Sequence, residues 1–243
     1  MRFRSICRMA SVLLTAVFLS VGCRERGRSL PPSGDAVVTA PAADLPGRSD
    51  VATPAADTVF VAMAIPPEVE ARMRGVSYPE GAAIPLRELR YLRLSYIDSD
   101  GNAQVGEMVC NRRIAQDLVE VFRALYRARY PIRSIRLIDE FGGSDEASME
   151  ADNTSCFNYR PVSGGRSLSR HAQGLAVDIN PLENPCIKNG TVLPPSGAPY
   201  VDRTQDFPHK IDRNDLCYKL FVDHGFRWGG AWRSLKDYQH FER

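Results

Sequence analysis

Two short stretches carry side chains with chemistry to offer. SRHAQGLAVDIN (169–180) sets His171 seven residues before Asp178, and DYQH (237–240) sets Asp237 three residues before His240. Leu175, Val177 and Ile179 alternate with Ala176 and Asp178, the period-two pattern of a half-buried strand. The alternation turns Asp178 away from the three large apolar residues, beside the small Ala176. A buried carboxylate is costly unless it is paired or holds a metal. His171, Asp178 and His240 together supply two imidazoles and one carboxylate. Three such ligands leave a fourth tetrahedral position for water, the make-up of a catalytic rather than a structural zinc site. Zinc would lower the pKa of that water to about 7. Asp237 is not needed as a ligand and is left as a general base near the water. Residues three apart on a flat strand point to opposite faces, so a bend is required between 237 and 240 if both serve one site. Arg160, in FNYRP, is a cation available to the oxygen that turns negative when a carbonyl is attacked. A cysteine-hydrolase reading is poor, because a Cys156 nucleophile needs a histidine base and both site histidines are committed to metal.

The order of these residues resembles a known family. SRHAQGLAVD, from Ser169 to Asp178, is similar to the SxHxxGxAxD pattern of the zinc D-Ala-D-Ala peptidases, whose superfamily includes L-Ala-D-Glu endopeptidases of phage lysins. Asp237-Tyr-Gln-His240 resembles their acidic-x-x-His element, and Tyr159-Arg160-Pro161 their arginine motif. The similarity extends over most of residues 85–243. It implies zinc on His171, Asp178 and His240. Asp237 would deprotonate the water and then protonate the departing amine, and Arg160 would steady the oxyanion. Ser169 would hydrogen-bond substrate or a ligand. Many members carry glutamate where Asp237 stands; the shorter side chain resembles the endopeptidase and related carboxypeptidase branches. A D-Ala-D-Ala carboxypeptidase acting on peptidoglycan stem peptides is the reading adopted, with an L-Ala-D-Glu endopeptidase as the nearest enzyme alternative. The fold implied is the α+β domain shared with Hedgehog signalling domains, a small antiparallel sheet with flanking helices. That kinship keeps a non-catalytic zinc-containing binding module open.

Several elements follow from pattern. LRYLRLSYID (89–98) alternates Leu92, Leu94 and Tyr96 against Arg93 and Ser95, a strand, and DSDG (98–101) is a turn. Between Asn111 and Tyr130, residues Ile114, Leu118, Val121, Phe122 and Leu125 form one helical stripe, with Asn111 as N-cap and Pro131 as stop. SIRLIDEF (134–141) reads as a strand with Ile135 and Leu137 inward. Residues 142–165 are polar and loop-like, and 186–210, rich in Pro and Gly, is expected to wrap the surface. A short helix over 212–224 closes at Gly225. His224 falls at its C-terminus, and His209 in a polar loop is expected to be exposed. Gly229-Gly230 permits a sharp turn, and at least one of Trp228 and Trp232 belongs to the core. Segregated helices and strands make the class α+β.

The N-terminus has another purpose. MRFRSICRMASVLLTAVFLSVGC pairs Arg2, Arg4 and Arg8 with an apolar stretch too short for an easy membrane span, the pattern of an export signal over 1–22. Val21-Gly22-Cys23 resembles a bacterial lipobox, with Cys23 the lipidation candidate, although Ser20 stands where leucine is preferred. Removing 1–22 moves the formal charge from +2 to −1. No basic stripe with interleaved aromatics is left to suggest a nucleic-acid partner. Residues 23–75, rich in Pro and Ala at their start, read as a tether, with the zinc peptidase domain over 76–243. Cell-envelope placement, in the periplasm with membrane contact only through a lipid anchor, and a monomeric state complete the expectations. Cys110, Cys156, Cys186 and Cys217 allow three disulfide pairings, or remain thiols.

Overall fold

A computed structural model describes residues 58–162 and 167–243. The expected export segment (1–22), Cys23 and the tether as far as residue 57 lie outside the described residues. Strands β1 (Phe60–Met63), β2 (Leu89–Ile97) and β3 (Ala103–Asn111) form an antiparallel sheet in that order. β2 and β3 are a long hairpin, in register from Leu89 opposite Asn111 to Ile97 opposite Ala103. Asp98 closes its turn by accepting the N–H groups of Asp100 and Asn102.

The two faces of β2 feed different clusters. Leu92 and Leu94 join Leu118, Phe122 and Leu125 of helix α2 (Ala115–Arg127) in the main core. Leu89 and Tyr91 instead meet Val69 and Met73 of helix α1 (Pro67–Met73). Alternation exposed only the first face, because α1 belongs to a stretch read as tether. The boundary at Val76 is therefore corrected: ordered elements begin at Phe60. The seven residues of α1 bury only Val69 and Met73, too few to show a stripe, and β1 is exposed along most of its length. β3 carries no clear alternation, since AQVGEMVCN mixes polar residues with Gly106.

The α2 stripe is buried as expected, but the helix is shorter than 111–130 and Asn111 is not its cap. Asn111 ends β3, where its Oδ1 accepts the Arg113 N–H and its Nδ2 donates to the Gln173 carbonyl. The strand expected over 134–141 shrinks to β4 (Ser134–Ile135) followed by a 3₁₀ turn. The supposed loop 142–165 contains helix α3 (Asp145–Glu150), capped by Ser144, and β5 (Asn153–Thr154), parallel to β4.

Two further small sheets complete the α+β architecture of small antiparallel sheets and flanking helices. One has β11 (His240–Glu242) at its centre, between β6 (Ala176–Asp178) and β9 (Arg227–Trp228). In the other β7 (Cys186–Lys188) is central, between β8 (Thr191–Leu193) and β10 (Lys236–Asp237). Part of the expected surface wrap is thus the β7–β8 hairpin. Helix α4 (Leu216–Asp223), capped by Asp215, links the first of these sheets to α2. Phe221 meets Phe122 edge-on at 6.5 Å between ring centroids and stacks on Phe241 at 4.4 Å. Aromatic packing therefore anchors β11 at the residue next to His240.

Candidate active site

Cross-strand pairing brings the distant residues together. β6 and β11 run antiparallel with His240 directly opposite Asp178, so both side chains rise from one face of the sheet. The opposite face carries Val177 and Phe241, both fully buried. His171 arrives from a 3₁₀ turn (His171–Gln173) that ends at Gly174 with φ +64°. A Cβ at Gly174 would lie 2.6 Å from the Asn111 amide nitrogen, so only glycine lets this turn press against β3.

The three groups are in mutual contact. Asp178 Oδ2 lies 3.1 Å from His171 Nε2, and Oδ1 lies 3.0 Å from His240 Nδ1. The two facing ring nitrogens are 3.2 Å apart. All three residues are buried, and their ligand atoms lie within 4.8 Å of one another. Each imidazole has an acceptor behind it: His171 Nδ1 is 2.6 Å from the Cys156 carbonyl, and His240 Nε2 is 3.4 Å from Glu242 Oε2. Because a carbonyl can only accept, His171 Nδ1 donates to it, and Nε2 is the nitrogen turned toward the Asp178 carboxylate. Hydrogen bonds to the outer nitrogens are the arrangement that fixes metal-binding tautomers. The cluster is suited to a divalent metal ion.

Charge at the cluster follows the same logic. Burial opposes ionisation of Asp178, but the attraction and hydrogen bonds of His171 and His240 overcome it and hold the carboxyl well below its usual range. Burial likewise disfavours a charged His240, yet hydrogen bonds to Asp178 and Glu242 push it up to about 10. The site therefore demands positive charge.

Asp237 is the next group outward. A bend at Tyr238 and Gln239 separates β10 from β11, as the three-residue spacing required. Burial, reinforced by Asp178 and opposed by His240, pushes Asp237 up to about 6. Its Oδ1 is buried and has no hydrogen-bond partner among the described residues. Gly229 makes this proximity possible, since a Cβ there would sit 2.9 Å from the Asp237 Cβ and 3.2 Å from that of His240. Asp237 and the three clustered residues line one cavity of about 220 Å³, together with Arg160 and Trp232.

Arg160 reaches this cavity but is not solitary: its Nη2 lies 2.7 Å from Asp145 Oδ2. Ser169 is buried, and its Oγ accepts the backbone N–H of His171, itself one of the expected ligands. Trp228 belongs to the core and donates to the Tyr238 carbonyl, whereas Trp232 lies 5.2 Å from the His240 ring. His209 is corrected from exposed to half-buried, and burial lowers its pKa. His224 caps α4 as expected. Cys110, Cys156, Cys186 and Cys217 are all thiols. Sequence reading missed Glu242, Asp145 and the carbonyl of Cys156. Glu242 had a signal, because two residues beyond His240 on a strand is the same face. Asp145 had none.

Residues 163–243 match the family described as D-alanyl-D-alanine carboxypeptidase. No curated protein and no solved structure matches the chain. Family and site agree, and the protein is a hydrolase of the zinc-dependent D-alanyl-D-alanine carboxypeptidase type, with peptidoglycan-related substrates.

Proposed function

We propose that the chain removes the terminal D-alanine from peptidoglycan stem peptides, with zinc held by His171, Asp178 and His240. The observation that carries this reading is the buried His171–Asp178–His240 cluster with its outer nitrogens already bonded, opening on a cavity that also holds Asp237 and Arg160. Two imidazoles and a carboxylate suit zinc, which when bound supplies a nucleophilic water near neutral pH and polarises the scissile carbonyl. Asp178 balances the positive charge, and the Cys156 carbonyl and Glu242 hold the two rings in orientation. Asp237 accepts the proton of the attacking water at its carboxylate and returns it to the leaving amine nitrogen, a role suited to a carboxyl raised to about 6. Arg160 meets the carbonyl oxygen as it becomes negative. Ser169 supports His171 by accepting its backbone N–H, and its hydroxyl proton and second lone pair remain for substrate.

Export through residues 1–22, a lipid on Cys23 and a tether up to the folded domain would place a monomeric enzyme in the cell envelope within reach of the wall. The full-length protein, incubated with muropeptides and followed by mass spectrometry, tests the reaction. Loss of one terminal D-alanine supports the carboxypeptidase. A cut after L-alanine assigns the endopeptidase instead, and binding without cleavage a non-catalytic module.

A further inference from the structure

The arginine wall of the cavity has a feature the reaction scheme does not use. Arg160 is tied to the metal cluster through backbone: its carbonyl accepts the Ser169 N–H at 3.1 Å, and Ser169 Oγ accepts the His171 N–H. That chain of bonds fixes the Arg160 Cα but not its side chain, which has four rotatable bonds. Among the described residues the guanidinium has two contacts, a long one from Nη1 to the Pro161 carbonyl at 3.4 Å and the 2.7 Å ion pair with Asp145. Its Nε is buried and has no partner among the described residues. Asp145 is the first residue of α3, and Ser144 Oγ caps that helix by accepting the Ala147 N–H. Both partners line the cavity with His171, Asp178, Asp237 and His240. Their side chains are 22% and 26% exposed, shielded enough for a short charge-assisted bond to hold a direction.

We propose that Asp145 is a positioning residue that aims the Arg160 guanidinium at the carbonyl oxygen of the substrate. The inference rests on the role given to Arg160 above. With Asp145 in place the fork is restrained before substrate arrives, so its orientation is not set at the moment charge develops. Without Asp145 the side chain samples other rotamers and meets the oxyanion only part of the time.

The test compares Asp145→Ala, Asp145→Glu, Asp145→Asn, Arg160→Ala and the Asp145→Ala/Arg160→Ala pair in the full-length protein on a D-Ala-D-Ala-terminated peptide. Asp145→Ala should lower kcat by roughly 10- to 100-fold, the scale of a misplaced catalytic group, with KM little changed. Asp145→Glu should restore part of the loss. Asp145→Asn, which keeps an acceptor and guards against a misfolded alanine variant, should fall between. In the Arg160→Ala background, removing Asp145 should cost nothing further. A phosphinate isostere of the scissile amide, titrated calorimetrically, should bind Asp145→Ala more weakly by the same factor as kcat falls. If Arg160→Ala is crippled but both Asp145→Ala and Asp145→Asn keep wild-type kcat and phosphinate affinity, the positioning role is overturned and that of Arg160 stands. It is equally overturned if Asp145→Ala costs as much with Arg160 absent as with it present. Normal turnover by Arg160→Ala overturns both roles.

Discussion

Residues 169–242 build one wall of the cavity and residues 145–160 the other, and different forces hold them. On the first wall His240 and Asp178 are opposed by strand register, and Phe241, stacked on Phe221, locks that register from the far side. Slipping by one residue would turn every side chain of β11 over. On the second wall Arg160 and Asp145 stand on a loop and a two-turn helix, joined by one partly exposed ion pair. The metal-facing wall is rigid by construction and lies within the stretch that matches the carboxypeptidase family; the arginine wall lies before it. The cation-binding cluster and Asp237 sit on the wall held by strand register, and the orientation of Arg160 is left to contacts that a few substitutions could retune.

Predictions follow from separating the walls. His240→Ala should abolish both metal content, read by atomic emission, and turnover, the largest effect expected of any single change. Retained metal would break the comparison at its root. Asp237→Ala should keep its metal while kcat falls by about 10²- to 10⁴-fold, the range for a lost general base. Loss of metal as well would make Asp237 a ligand. Glu242→Gln loosens the orientation of His240, and a competition titration should show metal affinity lower by roughly 10- to 100-fold with the fold intact.

The smallest effect concerns stability away from the site. Asp152 is 4% exposed and accepts the Leu182 N–H; burial, with Glu183 adding its charge, pushes its pKa up to about 7. A carboxyl raised in the folded state contributes stability that is complete below its ordinary pKa of about 4 and is lost as pH rises through about 7. Asp152→Asn keeps the acceptor without the charge. Melting temperature should therefore fall less between pH 5 and pH 8 in the variant than in the wild type, by thermal denaturation. An identical pH dependence would remove the buried charge from the account.

What sequence could show divides along the same line. The cluster was legible because period two turned Asp178 away from Leu175, Val177 and Ile179, and because a bend was demanded between Asp237 and His240. The α2 stripe was legible for a similar reason: one long element repeats its signal. Short elements carry no such repetition. α1 shows only Val69 and Met73, and α3 sits in a polar run whose helicity rests on Ser144 and tertiary contact. Asp145 could not be found from sequence, since nothing in the spacing of 145 and 160 says that the two side chains meet. The tautomer-setting carbonyl of Cys156 is backbone, to which residue type gives no clue.

The proposed reaction requires one ion held by His171 Nε2, Asp178 and His240 Nδ1. Anomalous diffraction at the zinc edge from crystals of the purified protein measures this directly. A single zinc peak in contact with those three residues, absent from crystals of His240→Ala, is the predicted result. Zinc bound elsewhere, or a fully active protein with no peak between the two imidazoles, would contradict it.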